Sequence, residues 1–356
     1  MNRKIRVLHY ADDNILSWAG PYIQLLCALK ESGCENIIAC RPGGTLSRML
    51  KEYGFEVHEY KPLISSWPYV SKNFAEILRS VMPDIIHTRL SSAAYIGGFW
   101  GKKLNIPVLS AVDKFPKRKY YDYADLILPC SLPVYEYMKS CGVPESRMKV
   151  IHNAVDVDSY AKNNNIRSEL RKSEGLDDKD ICFLGMGRLI DWKGFDDLLK
   201  AFALFLSRQN EPERFFLWLA GDGPEKRKLE SLAVSLNIHG RVKFLGFIEN
   251  VRPVLWAADI YIHPSWGDEA FGLSLLEAMS AGLPSIASKS GGMTEILNDS
   301  YGFMYPKRDI NALVQCMEES ITRKNELSCL SLKRARDFDT RAIAEKTLDV
   351  YLSNIH

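Results

Sequence analysis

The chain has 356 residues, 46% of them apolar and 25% charged, with a formal net charge of +2. That length exceeds one comfortable core and calls for two domains of roughly 100–200 residues each, while the near-neutral charge excludes a protein that binds polyanions over its whole surface. No stretch approaches the ~20 consecutive apolar residues of a membrane span, and "MNRKIRVLHYADD" turns charged again too soon for a signal peptide.

Charge is unevenly spread. Up to residue 165 the chain carries about 21 Lys and Arg against about 16 Asp and Glu, and the remainder about 25 against about 28. The first half is therefore the one suited to an anionic partner. Cys27, Cys34, Cys40, Cys130, Cys141, Cys182, Cys316 and Cys329 show neither a C-x-x-C nor a zinc-like spacing. Most lie in apolar runs, as small hydrophobes do, so a reducing cytoplasm is the expected setting.

In chain order, "KIRVLHY" reads as a strand and "GPYIQLLCALKESG" as a helix ended by glycine. "NIIAC" is a strand, followed by the helix "TLSRMLKEYG", for which Thr45 is the expected cap. "DIIHT", "PVLSAV" and "DLILPC" are strands, with helical patterns around 92–104 and 131–141, and "MKVIHNAVD" closes the half. A polar, Asn-rich seam follows at 156–165. Beyond it "ICFLGMG", "RFFLWLAG", "RVKFLGF", "DIYIHPS" and "LPSIAS" are strands separated by helices such as "GFDDLLKAFALFLSRQ". Continuous apolar strands alternating with helices imply parallel sheets covered on both faces. About twelve strands exceed one twisted sheet, so two doubly wound α/β domains are expected. Ligands in such folds bind beyond the carboxyl ends of strands, in the strand-to-helix loops.

Two of those loops carry chemistry. "GMGRLIDWKGFDDLL" places Arg188 and Lys193 between a strand and a helix that begins near Gly194. A planar fork of donors and a mobile ammonium beside glycines suit a diphosphate. In "HPSWGDEAFGLSLLEAMSAG", Phe271 and Gly272 sit at a helix start, whose N–H groups and dipole favour phosphate. Glu269 precedes that helix and Glu277 lies about one and a half turns inside it. Carboxylates repel phosphate but accept hydrogen bonds from vicinal hydroxyls, so this loop fits a sugar nucleotide. Alone, the two acids would read as a first-turn acid and a solvated helix residue.

"GRLIDWKG", "LAGDGP", "VKFLGFIENV", "ADIYIHPSWGDEAFGLSLLEAMSAGLPSIASKSGG" and "TEI" resemble the donor domain of glycosyltransferase family 4, retaining enzymes of GT-B architecture, among them bacterial lipopolysaccharide and surface-glycan transferases. "IHNAVDVDSY" is similar to the family's inter-domain segment, with Ala154 in place of its glycine. The likeness is dense over 182–306 and thinner over 1–150. It implies two Rossmann-like domains facing across a cleft: an acceptor domain over 1–157, a donor domain over 158–337, and a last helix over 338–356 that crosses back to the first. It assigns Arg188 and Lys193 to the donor diphosphate, Glu269 to the transferred sugar and Glu277 to the ribose hydroxyls. The amides of Phe271, Gly272 and Leu273 would meet sugar and phosphate, and the backbone of Ile248 the nucleobase. Gly20 remains of the family's glycine pair in "SWAGPYIQL", with Ala19 in the other place.

The acceptor half is less legible. His87 is read as the end of "DIIH", and Asp113 ends "VLSAV" where relatives carry a histidine. Asp113 is a candidate to orient an acceptor hydroxyl or take its proton, and His87 is either an acceptor-side group or a hydrogen-bonded strand residue. "KFPKRKYY", with Lys117 and Arg118, is either a solvated loop or a contact for acceptor phosphates or an anionic membrane surface. The cluster is too short for nucleic acid.

The expectation is a metal-independent retaining glycosyltransferase with no cofactor. It would move a sugar from a nucleotide-sugar donor, UDP-linked, to a saccharide or lipid-linked saccharide acceptor in surface-glycan synthesis. The expected location is the cytoplasm, with peripheral attachment to the inner membrane left open. A sugar-nucleotide epimerase of the same architecture and a non-catalytic sugar-nucleotide binder are the alternatives. A nicotinamide dehydrogenase is disfavoured because no G-x-G-x-x-G follows "VLHY".

Overall fold

The computed structural model describes residues 4–13, 19–64 and 67–355. Ser17 and Trp18 of the "SWAGPYIQL" loop lie outside the described residues. The chain divides into two units, Met1–Asp156 with Phe338–His356, and Val157–Asp337. No described helix is long and apolar enough to cross a membrane.

The first unit runs β1 (Ile5–Ala11), α1 (Ala19–Glu31), β2 (Cys34–Cys40), α2 (Thr45–Glu52), β3 (Glu56–Glu59), α3 (Lys72–Val81), β4 (Ile85–Arg89), α4 (Ser91–Leu104), β5 (Val108–Val112), β6 (Leu126–Pro129) and α5 (Leu132–Ser140). Its six strands are parallel in the order β3-β2-β1-β4-β5-β6. Alternation along β1 shows why helices cover both faces: Leu8 and Tyr10 pack with Phe74, Leu78 and Ile96 of α3 and α4, whereas Val7 packs with Leu25 and Leu29 of α1. The last helix joins this second face and is described below.

The second unit runs α6 (Asn164–Ser173), β7 (Ile181–Met186), α7 (Phe195–Ser207), β8 (Phe215–Ala220), α8 (Lys226–Ser235), β9 (Val242–Gly246), α9 (Arg252–Ala257), β10 (Ile260–His263), α10 (Leu273–Ser280), β11 (Ser285–Ser288), α11 (Met293–Ile296), β12 (Phe303–Tyr305), α12 (Ile310–Thr322) and α13 (Lys324–Ala335). These strands are also parallel, in the order β12-β11-β10-β7-β8-β9. Helix α14 (Thr340–Leu352) then places Ile343, Ala344, Val350 and Tyr351 in the α1 core of the first unit.

Three local readings are corrected. Thr45 does not cap α2: it is the first helical residue, and Gly44 stands at the cap with no side-chain hydrogen bond. The edge strands β3 and β12 were not anticipated, because "EVHE" is polar and partly exposed and "FMY" is three residues long. His87 does not end its strand; β4 continues through Thr88 to Arg89.

Each unit buries polar side chains away from the sheet ends. In the first, His9 is 1% exposed. The Nδ2 of Asn36 donates to the carbonyl of Leu26 at 2.9 Å, so its Oδ1 is the acceptor that faces His9 Nε2 at 3.0 Å. His87 sits beside it, ring centroids 5.4 Å apart, with Nδ1 2.5 Å from the hydroxyl of Tyr351. Burial holds the His87 pKa well below the usual imidazole value, and His9 and Arg89 add to the effect. In the second unit Asp259, 5% exposed, faces Arg167 at 2.8 Å, Arg171 at 2.9 Å and Lys324 at 3.1 Å. Burial works to raise its pKa, yet Arg167, Lys324, the amide of Cys182 and Arg171 together hold it low. The same two arginines donate to the carbonyl of Ala257, and Arg167 also to those of Trp256 and Ala258, which closes the end of α9.

Burial lowers the pKa of His9 from 6.5 to about 4, against the opposing hydrogen bond to Asn36, with Arg89 lowering it further. Between those values the unfolded chain binds a proton that the folded chain refuses, so stability falls as pH falls through that window, by about 3 kcal/mol at its lower end. His9→Gln is expected to flatten the acid dependence of the first unit between pH 6.5 and 4. Hydrogen exchange of the β1 and β4 amides as a function of pH checks it.

Candidate functional site

The strand order of the second unit reverses between β7 and β10, the place where doubly wound sheets open a ligand crevice. The loop after β7 carries Arg188 and Lys193; the loop after β10 carries Glu269. They are seated against each other by backbone. The carbonyl of Trp192 accepts from the amides of Trp266 at 3.0 Å and Gly267 at 3.1 Å. Gly194 has φ +71°, and a Cβ there would lie 2.2 Å from the carbonyl of Pro264, so only glycine permits the contact. The loop after β11 braces the other side: the amide of Gly292 donates to the carbonyl of Glu269 at 2.8 Å. A Cβ on Gly291, at φ +49°, would lie 2.1 Å from that same carbonyl oxygen.

This backbone brings Lys193 into an ion pair with Glu269, both mostly buried. The ammonium also lies 4.9 Å from the ring of Trp192. The same carboxylate oxygen receives Ser265 Oγ at 3.2 Å and faces His263 Nε2 at 3.2 Å. Burial acts to raise the pKa of Glu269, but His263 and Lys193 outweigh it and bring it down to about 2. Arg188 shares the β7 loop with its side chain exposed.

Helix α10 begins at Leu273 behind Gly272, with no side-chain cap and no acid in its first turn. Its amino end therefore keeps its positive character for a ligand. The contrast is α7, whose first turn holds Asp196 and Asp197. Phe271 is buried beneath the helix start. Glu277 lies on α10 and accepts a hydrogen bond from the hydroxyl of Tyr160 at 2.9 Å. Burial raises its pKa to about 7, with the Tyr160 bond opposing. Both glutamates act electrostatically on the hydroxyl of Tyr261, which lies between them in influence. Ile248 is half-buried two residues beyond β9.

The first-unit candidates are dispersed by comparison. Asp113 follows β5 and pairs with Arg89, the last residue of β4, at 3.4 Å. Arg89 also donates to Asn153 at 3.3 Å and lies 5.2 Å from the ring of Tyr22. His87 is buried inside β4 on Tyr351, the hydrogen-bonded strand residue of the two readings. Gly20 is exposed near the start of α1, and a Cβ there would meet nothing within 4 Å. Lys117 is exposed, but Arg118 is engaged by Asp122 at 3.3 Å, which moderates the basic cluster.

The sequence reading passed over His263, Ser265 and Tyr160, which contact the two glutamates, and Tyr261, which bonds to His263. For Tyr261, His263 and Ser265 the only signal was proximity to the loop that carries Glu269; Tyr160 gave none. A hollow of about 390 Å³ lies at the opposite, amino ends of β10 and β11. Three of its lining cations are paired within the protein: Arg167 and Lys324 with Asp259, and Arg336 with Asp158 at 2.7 Å.

Two doubly wound parallel sheets on one chain place the protein in the GT-B class of folds. Residues 22–159 match the family described as Glycosyltransferase Family 4, and residues 166–339 match Glycosyl transferases group 1. The chain belongs to the family 4 glycosyltransferases. The lipopolysaccharide core biosynthesis glycosyltransferase LpsE of Rhizobium meliloti is 25% identical over 93% of this chain and 94% of its own length. A glycosyltransferase of Methanocaldococcus jannaschii is 34% identical over 172 residues, 47% of this chain and 43% of that protein. The crystal structure of Anabaena Alr3699/HepE in complex with UDP and glucose superposes with a TM-score of 0.84 at 20% identity, covering 98% of this chain and 100% of that one.

Gly291→Ala forces a methyl group against the carbonyl of Glu269 in a left-handed backbone. It is expected to destabilise the second unit by about 1–3 kcal/mol and to weaken the Lys193–Glu269 pair. Urea unfolding and hydrogen exchange of the 265–272 segment check it.

Proposed function

We propose that this protein is a retaining glycosyltransferase that moves a sugar from a UDP-linked donor to a hydroxyl of a saccharide or lipid-linked saccharide in surface-glycan synthesis. The observation that carries the donor reading is the meeting of Lys193 with Glu269 at the switch point, beside a helix start free of acids. The UDP and glucose named for the Anabaena structure and the lipopolysaccharide role named for the Rhizobium protein support the choice of donor and pathway class.

In this reading the donor diphosphate takes Lys193, Arg188 and the amides of Phe271, Gly272 and Leu273. As the bond from the anomeric carbon to the leaving oxygen breaks, negative charge grows on the β-phosphate. Fixed cations and helix amides stabilise that charge, the largest contribution such a site can make. The acceptor oxygen attacks from the face the diphosphate leaves, and its proton passes to the departing phosphate oxygen. Glu277 receives the ribose hydroxyls, Glu269 the hydroxyls of the transferred sugar, and Ile248 borders the base. The leaving charge is met by side-chain cations, so the reaction is assigned as metal-independent. Asp113 with Arg89, at the carboxyl ends of β4 and β5, is assigned to the acceptor side. Lys117 is assigned to anionic groups of a lipid-linked acceptor or of the membrane beneath it, on the cytoplasmic face.

Mass spectrometry of products from a panel of sugar nucleotides, with candidate acceptors and with water alone, tests the assignment. Transfer to an acceptor supports it; isomerised donor would instead favour an epimerase. Lys193→Ala is expected to lower kcat/KM roughly 10²–10³-fold. Glu277→Ala is expected to raise the donor KM roughly 10- to 100-fold, with folding retained in both by circular dichroism. Because Glu277 titrates at about 7, donor affinity is expected to weaken as pH falls through that value. Tyr160→Phe removes the hydrogen bond that favours the carboxylate, so the weakening should begin at higher pH. Calorimetric titration of the donor between pH 5.5 and 8.5, about one and a half units either side of that pKa, measures both.

A further inference from the structure

His263 closes β10 and is 2% exposed. Its Nδ1 lies 3.2 Å from the hydroxyl of Tyr261 and 3.4 Å from that of Ser274. Those two hydroxyls are themselves 3.0 Å apart. Tyr261 stands two residues earlier on the same strand, hence on the same side of the pleat, and Ser274 is the second residue of α10. Its other nitrogen, Nε2, faces Oε1 of Glu269. Paired with Lys193, Glu269 is a carboxylate and can only accept. Nε2 must therefore carry the proton and donate, and Nδ1 must accept from Tyr261 or Ser274. The chain Tyr261–Ser274–His263–Glu269 has one consistent direction of donation.

All three side-chain donors to Glu269, from Lys193, Ser265 and His263, converge on Oε1. Among the described residues no side chain donates to Oε2. Lys193 is a mobile ammonium that a diphosphate can attract, whereas His263 is held by strand, helix and two hydroxyls. Withdrawal of Lys193 would leave Glu269 with His263 and Ser265 as its fixed partners.

We propose that His263 is a positioning residue for the donor sugar: it holds Oε1 of Glu269 so that Oε2 faces outward as an acceptor for a sugar hydroxyl when the diphosphate draws Lys193 away. This rests on the reading of the loop cluster as the donor site. A carboxylate held in this way selects sugars that bring an O–H or N–H to the contacted position, because a deoxy sugar would leave the mostly buried charge unpaired. The titratable and charged groups around the pair are Lys193, Tyr261 and Glu277.

The test compares His263→Phe, which removes the donor, with His263→Gln, whose amide can restore an N–H near the place of Nε2. His263→Phe is expected to lower kcat/KM for the sugar nucleotide at least about tenfold. Affinity for UDP alone should stay within about twofold, and His263→Gln should recover most of the loss. Equal loss in both variants, or parallel loss of UDP and donor affinity, would overturn the proposal. A second measurement is independent of activity and of whether the variants fold. Nitrogen-15 NMR of the wild-type imidazole should show the Nε2–H tautomer, and the Nδ1–H tautomer would overturn the proposal outright. A wild type with that tautomer but no affinity for any sugar nucleotide would defeat the donor-site reading and leave the orientation of Glu269 by His263 standing.

Discussion

The organising interaction of the second unit is the contact between Lys193 and Glu269. Their loops follow neighbouring strands, although the residues are 76 positions apart in the chain. Their side chains are 14% and 13% exposed. Two charges so far from solvent are tolerable only together, since removal of either strands the other. The surroundings are built accordingly. Gly194 and Gly291 let three loops touch through their backbones, the carbonyl of Trp192 holds the loop after β10, and His263 and Ser265 satisfy the carboxylate. Small changes in these supports are therefore transmitted directly to the charged pair.

The cluster around His9 and His87 and the cluster around Asp259 treat buried polarity in opposite ways. The first keeps His9 and His87 neutral, because burial disfavours the charged rings and the guanidinium of Arg89 repels them, against the Asn36 bond to His9. The second keeps Asp259 ionised by surrounding it with three cations, two of which also close the carbonyl end of α9. Acid thus acts first on the core of the first unit, where protonation has no counter-charge. Asp259 resists it, as its partners remain cationic throughout the accessible range.

The alternation of apolar strands and helices was plain in the residues, and so was the placement of the loop chemistry at strand ends. Buried parallel strands are continuous in hydrophobicity and stand out; β3 and β12 at the sheet edges do not, since an edge strand needs only one partner and "EVHE" offers a single apolar residue, Val57. Arg188 and Lys193 were identifiable as cations in a glycine-bearing loop at the carboxyl end of a buried strand, and Glu269 and Glu277 through their order and spacing after them in a family-like pattern. The partners of those charges were not. Nothing in "YIHPS" shows that Nε2 of His263 faces an acid six residues on, and nothing in "DSY" that Tyr160 reaches a helix more than a hundred positions later. His87 misled for a related reason: "DIIH" looked like an ending, whereas β4 runs on to Arg89 and leaves the imidazole inside, against a tyrosine of the last helix.

That helix has a temporal consequence. Ile343, Ala344, Val350 and Tyr351 complete a core whose other members lie between Val7 and Ala154. On the ribosome the residues of the second unit, Val157–Asp337, emerge before those four. The later-encoded half can thus finish folding first, while the earlier half waits with the α1 face uncovered and one buried imidazole still without its phenol. The core of the earlier-encoded half is thus complete only once Tyr351 has been made.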